Sequence, residues 1–157
     1  MKRLHPLFVG TLLLGAGFVS VAGAHSGRPI PIDELTRISG VIVEGTVQSV
    51  ASEWNAGRTQ IYTTVTLDVQ EYLKGGSGRG LFRFRQLGGT VDDMTLAIVG
   101  QPNFQPGEAV FLFMNPDWTV GPVPVLGGDM GAFRVTTDSR TGRVVLQGHD
   151  TTVERGS

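Results

Sequence analysis

The sequence predicts an all-β domain, a small closed barrel preceded by one short helical turn. Three observations carry this. Ile61 to Gln70 alternates, with Ile61, Val65, Leu67 and Val69 on one face and Tyr62, Thr64, Thr66, Asp68 and Gln70 on the other. That is the period of a half-buried strand. Ala109 to Met114 is an unbroken apolar run of strand length, read as a strand buried on both faces. Around these two, short β-rich segments are separated by glycine, asparagine and proline turn signals, the pattern of a barrel or sandwich.

The elements follow in order. Residues 1–24 read as a cleavable signal peptide: Lys2 and Arg3 form the basic start, Leu7 to Val21 is apolar, and Val21-Ala22-Gly23-Ala24 is a small-residue cleavage site. The apolar run is short of the ~20 residues a membrane span needs, so stable membrane insertion after cleavage is not expected. Cleavage after Ala24 leaves 133 residues beginning at His25, enough for one domain. Residues 25–39 are an extended leader closing in a helical turn at Asp33 to Ile38, with its carboxylates at the favourable end.

The domain proper is placed at 40–148. Val41 to Val50 is β-branched and long, and Gly45 in its middle predicts a bulge or bend. Asn55-Ala56-Gly57 turns the chain into the alternating strand at 61–70, and the glycines at 75, 76 and 78 end it. Leu81 to Arg85 alternates again, Phe82 and Phe84 inward and Arg83 and Arg85 outward. Residues 88–107 read as a long irregular loop. After the apolar strand at 109–114, Pro116, Pro122 and Pro124 argue against a central strand. Gly131 to Val135 and Val144 to Leu146 are the last predicted strands, and 149–157 reads as a polar tail. The bent, glycine-marked first strand favours a closed barrel over a flat sandwich.

Composition narrows function. The chain has no cysteine, hence no disulfide framework, thiolate nucleophile or cysteine zinc site. The mature chain would carry 11 basic against 14 acidic residues, and Lys74 is its one lysine. Phosphate-backbone binding calls for a basic patch, so no nucleic-acid partner is expected. No His-Glu-x-x-His, Gly-x-Ser-x-Gly or Gly-Lys-Ser/Thr pattern occurs, and catalysis and cofactors are not expected.

Candidate contact residues lie on the loops at 54–58, 88–107 and 116–128: Trp54, Asp92, Asp93, Asn103 and Trp118. Trp54 and Trp118 suit a partner anchor or, more simply, a plug at the end of the core. Asp92-Asp93 offers carboxylates but falls short of the oxygen count calcium wants; solvated loop aspartates are the plainer reading. His25, as the new N-terminus, offers an amine and an imidazole to a metal, and His149 a third nitrogen if the termini meet. The simpler reading makes His25 part of a leader. Arg83 and Arg85 suit an anion or a solvated, aggregation-resistant face.

Several segments carry a family resemblance: Val43-Glu44-Gly45-Thr46-Val47, Ile61 to Val69 closing on Tyr72-Leu73-Lys74-Gly75, Gly88-Gly89-Thr90, Gly100-Gln101-Pro102-Asn103-Phe104, Pro106 to Phe113 and Gly131-Ala132-Phe133. Across residues 40–135 the chain resembles a bacterial exported domain sometimes found ahead of matrixin-like metalloproteases. The strand order is also similar to the netrin-like, or tissue-inhibitor-of-metalloproteinase-like, OB-type barrel. The resemblance implies an OB-like barrel and an exported protein such as a protease as partner. Animal inhibitors of that type begin with a zinc-coordinating cysteine and carry disulfides, both missing here; an inhibitor would act through His25 instead. The expectation is therefore a secreted or periplasmic, non-enzymatic binding module. A protease inhibitor and a metal-binding protein are the alternatives.

Overall fold

The computed structural model describes residues 29–119 and 121–155; the predicted signal peptide at 1–24 and His25 lie outside them. A helix, α1 (Ile32–Ile38), precedes nine strands: β1 (Val41–Trp54), β2 (Ile61–Lys74), β3 (Gly80–Leu87), β4 (Gly89–Val91), β5 (Met94–Leu96), β6 (Ala109–Met114), β7 (Ala132–Thr137), β8 (Val144–Gln147) and β9 (Thr152–Glu154). Seven form one antiparallel sheet in the order β3-β2-β1-β6-β7-β8-β9, and β4 and β5 form a separate hairpin. The all-β class and the short helix are as expected.

Barrel closure is not. The sheet ends in two unpaired edges, β3 and β9. The reason lies in the central strands, which bury both faces. Val110, Leu112 and Met114 of β6 join Val43 and Val47 of β1 in a cluster with Val65, Leu67, Phe82, Phe84 and Phe104. The alternate residues, Phe111 and Phe113, join Ile42, Phe133 and Leu35 of α1 in a second cluster. A small closed barrel has one filled interior. Here two cores lie on opposite sides of one sheet, and α1 covers the second. Arg83 and Arg85 do point outward along the free β3 edge, where charge discourages further pairing.

Helix α1 is held by local chemistry. Asp33 and Glu34 occupy its first turn and Arg37 its last, as the macrodipole favours. Lys74, at the end of β2, donates from Nζ to the carbonyls of Thr36 (2.9 Å) and Arg37 (3.0 Å), closing the C-terminal end of the helix.

Gly45 sits at a bulge, where pairing jumps from Glu44↔Glu71 to Gly45↔Val69. A β-carbon there would lie 2.7 Å from the Asp68 carbonyl oxygen, a backbone atom. Gly45→Ala is therefore expected to cost about 1–3 kcal/mol, read as a lower urea midpoint at unchanged slope.

Two segments differ from expectation. The stretch 88–107 contains the β4–β5 hairpin, turned by Asp92-Asp93 with Asp92 at φ 51°. Its strands are three residues each, too short for alternation to register. The tail 149–157 contains β9, followed by Arg155, whose Nη1 lies 2.9 Å from Oε1 and 2.8 Å from Oε2 of Glu44. Its Nη2 lies 3.4 Å from Glu71. The C-terminal segment thus bridges two carboxylates that face each other across β1 and β2.

Candidate functional site

A concavity lies where the chain entering α1 meets the β8–β9 turn. Pro29 to Ile32 form one wall, Val99 and Gly100 another, Asp129 and Met130 a third, and Gly148 to Thr151 the fourth, with Phe133 below. The cleft holds about 430 Å³, within the range of small-ligand sites. A second cleft of about 330 Å³ adjoins it, shares Asp129, Phe133, Gly148 and His149, and continues to Asn103, Glu108 and Arg134.

Each wall is fixed by backbone bonding. Asp129 is the second residue of a short 3-10 turn (Gly128–Gly131), and its amide donates to the Gly100 carbonyl at 2.8 Å, joining two walls. Gly128 enables the approach: φ is +66°, and a β-carbon would overlap the Gly100 carbonyl oxygen. His149 and Asp150 form a two-residue turn between β8 and β9, closed by the Gly148 amide on the Thr151 carbonyl at 2.7 Å. The floor is apolar, since Ile30 and Ile32 pack on the cluster containing Phe133.

The charged groups at the rim are the Asp129 and Asp150 carboxylates, with the His149 imidazole between them. His149 Nδ1 lies 3.4 Å from Asp129 and Nε2 3.7 Å from Asp150, so each imidazole nitrogen faces a carboxylate. No lysine or arginine lines this cleft among the described residues. Val99 stands beside it with 74% of its surface exposed, the most exposed large apolar residue described. In the adjoining cleft Arg134 is tied to Glu108 at 3.0 Å, so its charge is already partnered.

The residues singled out from sequence are dispersed. Asn103 and His149 line the adjoining cleft together. Trp54 is at the end of β1 under the Arg58 guanidinium, 5.8 Å from its ring. Asp92 and Asp93 are exposed at the β4–β5 turn. Trp118 packs on Phe82 with ring centroids 4.7 Å apart, plugging the end of the first core. None of these four lines either cleft. His25 lies outside the described residues, and among these no group of three or more histidine, aspartate or glutamate side chains is placed to hold a metal.

Sequence reasoning missed Asp129, Met130 and Val99. Gly127-Gly128-Asp129 is a turn-type sequence, but nothing in it locates the Gly100 carbonyl that the turn meets. No family model, curated protein or solved structure matches the chain. Among the described residues no helix is long and apolar enough to cross a membrane.

Proposed function

We propose that the chain is an exported, non-enzymatic binding module whose ligand is an extended segment of another exported protein, an apolar side chain followed by a basic one. The observation that carries this is the cleft at Pro29–Ile32, Val99, Met130 and His149. An apolar floor under an acidic rim matches a cationic, partly apolar segment, and the walls are pinned to a rigid sheet by backbone hydrogen bonds. The signal segment supports export, and the resemblance to the domain preceding matrixin-like metalloproteases makes a protease a natural partner.

Val99→Lys tests the proposal, since it removes the apolar contact and opposes the basic side chain. The side chain is exposed, so stability is expected to change by less than about 0.5 kcal/mol. Affinity for a Leu-Arg-containing peptide, measured by calorimetric titration, is expected to fall by about tenfold. Unchanged affinity would remove the cleft from the account.

One observation favours a second reading. Residues 29–32, downstream of the predicted terminus at His25, form a wall of the same cleft. A protease inhibitor acting through that terminus would approach its target by this face. Replacing His25 by alanine separates the two: inhibition would be lost, while peptide affinity would stay as it was.

A further inference from the structure

A third cleft, of about 410 Å³, lies between the far ends of β1 and β2, the β4–β5 hairpin and residues 96–104. No charged side chain lines it; its polar groups are the hydroxyls of Ser52, Thr63, Thr90 and Thr95 and the amides of Gln86, Gln101 and Asn103. Apolar contacts come from Val50, Leu96, Ile98 and Phe104.

Hydrogen-bond polarity distinguishes this cleft. Gln86 is only 8% exposed, and its Nε2 donates to the Pro102 carbonyl at 3.0 Å. Gln101 Nε2 donates to the Pro122 carbonyl at 3.3 Å. The Oε1 atoms of both are covered and accept nothing from the described residues. Buried acceptors are rarely left this way in folded proteins. Thr63 Oγ1 donates its one proton to the Gly88 carbonyl at 2.6 Å. The 2.8 Å contact between Ser52 and Thr63 must therefore be donated by Ser52. The hydroxyl protons of Ser52 and Thr63 and one N–H of each glutamine are thus committed to the protein, while the Asn103 amide and one of the Thr90 and Thr95 hydroxyls keep a free donor and the two covered oxygens keep free acceptor capacity.

We propose that this cleft binds a neutral, hydroxyl-rich ligand, a saccharide unit, independently of the cleft at His149. A charged ligand would lose its hydration with no opposite charge to meet it. A peptide strand presents its donors and acceptors at the fixed spacing of its backbone, whereas the cleft's free polar groups are scattered over β3, the β4–β5 hairpin and residues 101–103. Sugar hydroxyls can each donate, and the apolar wall suits the C–H faces of a ring. Because the two oxygens are covered, a small side-chain rotation under the 101–103 segment accompanies binding.

The test is amide chemical-shift mapping of the full mature chain. The probes are cellobiose, maltose and lactose, each at about 10 mM, the range of weak binding, with glucuronic acid and N-acetylglycinamide as comparators. At least one neutral disaccharide is expected to shift the amides of Ser52, Gln86, Gly89 and Gln101 more than either comparator does. Gln86→Leu, which keeps the side-chain bulk, is expected to weaken that binding by about tenfold or more, as loss of a built acceptor does. If Gln86→Leu does not fold, Ser52→Ala decides by the same criterion. The proposal is overturned if no disaccharide shifts these amides, if N-acetylglycinamide or glucuronic acid binds more tightly, or if the deciding variant binds as the parent does.

Discussion

Replacing Arg155 by alanine is expected to destabilise the domain by about 2–3 kcal/mol, although the residue lies in what reads as a polar tail. Glu44 and Glu71 are direct cross-strand neighbours of like charge, an arrangement that is unfavourable alone. Arg155 bridges them. The Glu44 side chain is only 9% exposed, so removing the guanidinium leaves a carboxylate in a poorly hydrated place. Only Oε1 of Glu44 accepts an aligned hydrogen bond; Oε2, at 2.8 Å, is held by charge without one. Because Arg155 itself is 41% exposed, the loss falls below that of a fully buried pair. Urea denaturation checks the magnitude. Adding Glu44→Gln should recover part of the loss, because the uncompensated charge is then gone. A double variant no more stable than Arg155→Ala would show that the bridge matters only as packing.

Gly128→Ala should cost a comparable amount, about 2–4 kcal/mol, and should also disable the cleft. Two effects add: φ of +66° disfavours a β-carbon, and that carbon would overlap the Gly100 carbonyl oxygen. Gly142 separates them, since its φ is +70° but a β-carbon there meets nothing within 4 Å. Gly142→Ala should therefore cost only about 1–2 kcal/mol, the conformational penalty alone. Relief of the overlap must push the 3-10 turn from the Val99–Gly100 wall and break the Asp129–Gly100 hydrogen bond. Peptide affinity should then fall more than Val99→Lys makes it fall. Equal stabilities for the two alanine variants would contradict the close approach.

The strands were legible where burial is written into alternation or into an unbroken apolar run. Phe82 with Phe84, Ala109 to Met114, and Ile61 to Gln70 apart from Thr66 lie as their patterns require; Thr66, read on the open face, is buried. Gly45 marked its bulge because close backbone approach leaves a glycine in the sequence. The open sheet was not legible, because two-sided burial of β1 and β6 depends on what covers the second face, and Leu35 gives no such sign alone. β9 was hidden by its composition: Thr152 to Glu154 is short and polar, and it stays in the sheet through pairing with β8. The cleft was least legible of all. His149 drew attention as one of the three histidines in the sequence, but Asp129, Met130 and Val99 reach it from separate loops. Trp118 shows the converse, an aromatic that suits a partner by type and is used to fill the core.

The most direct measurement is amide chemical-shift mapping of the isotopically labelled mature chain with a short Leu-Arg-containing peptide, run beside the same peptide with glutamate in place of arginine. The account predicts saturable shifts at Val99, Gly100, Asp129, Met130 and His149 to Thr151 with the first peptide, and much weaker ones with the second. Shifts centred on the β1–β2 tip or the β3 edge, equal responses to both peptides, or no response would contradict it.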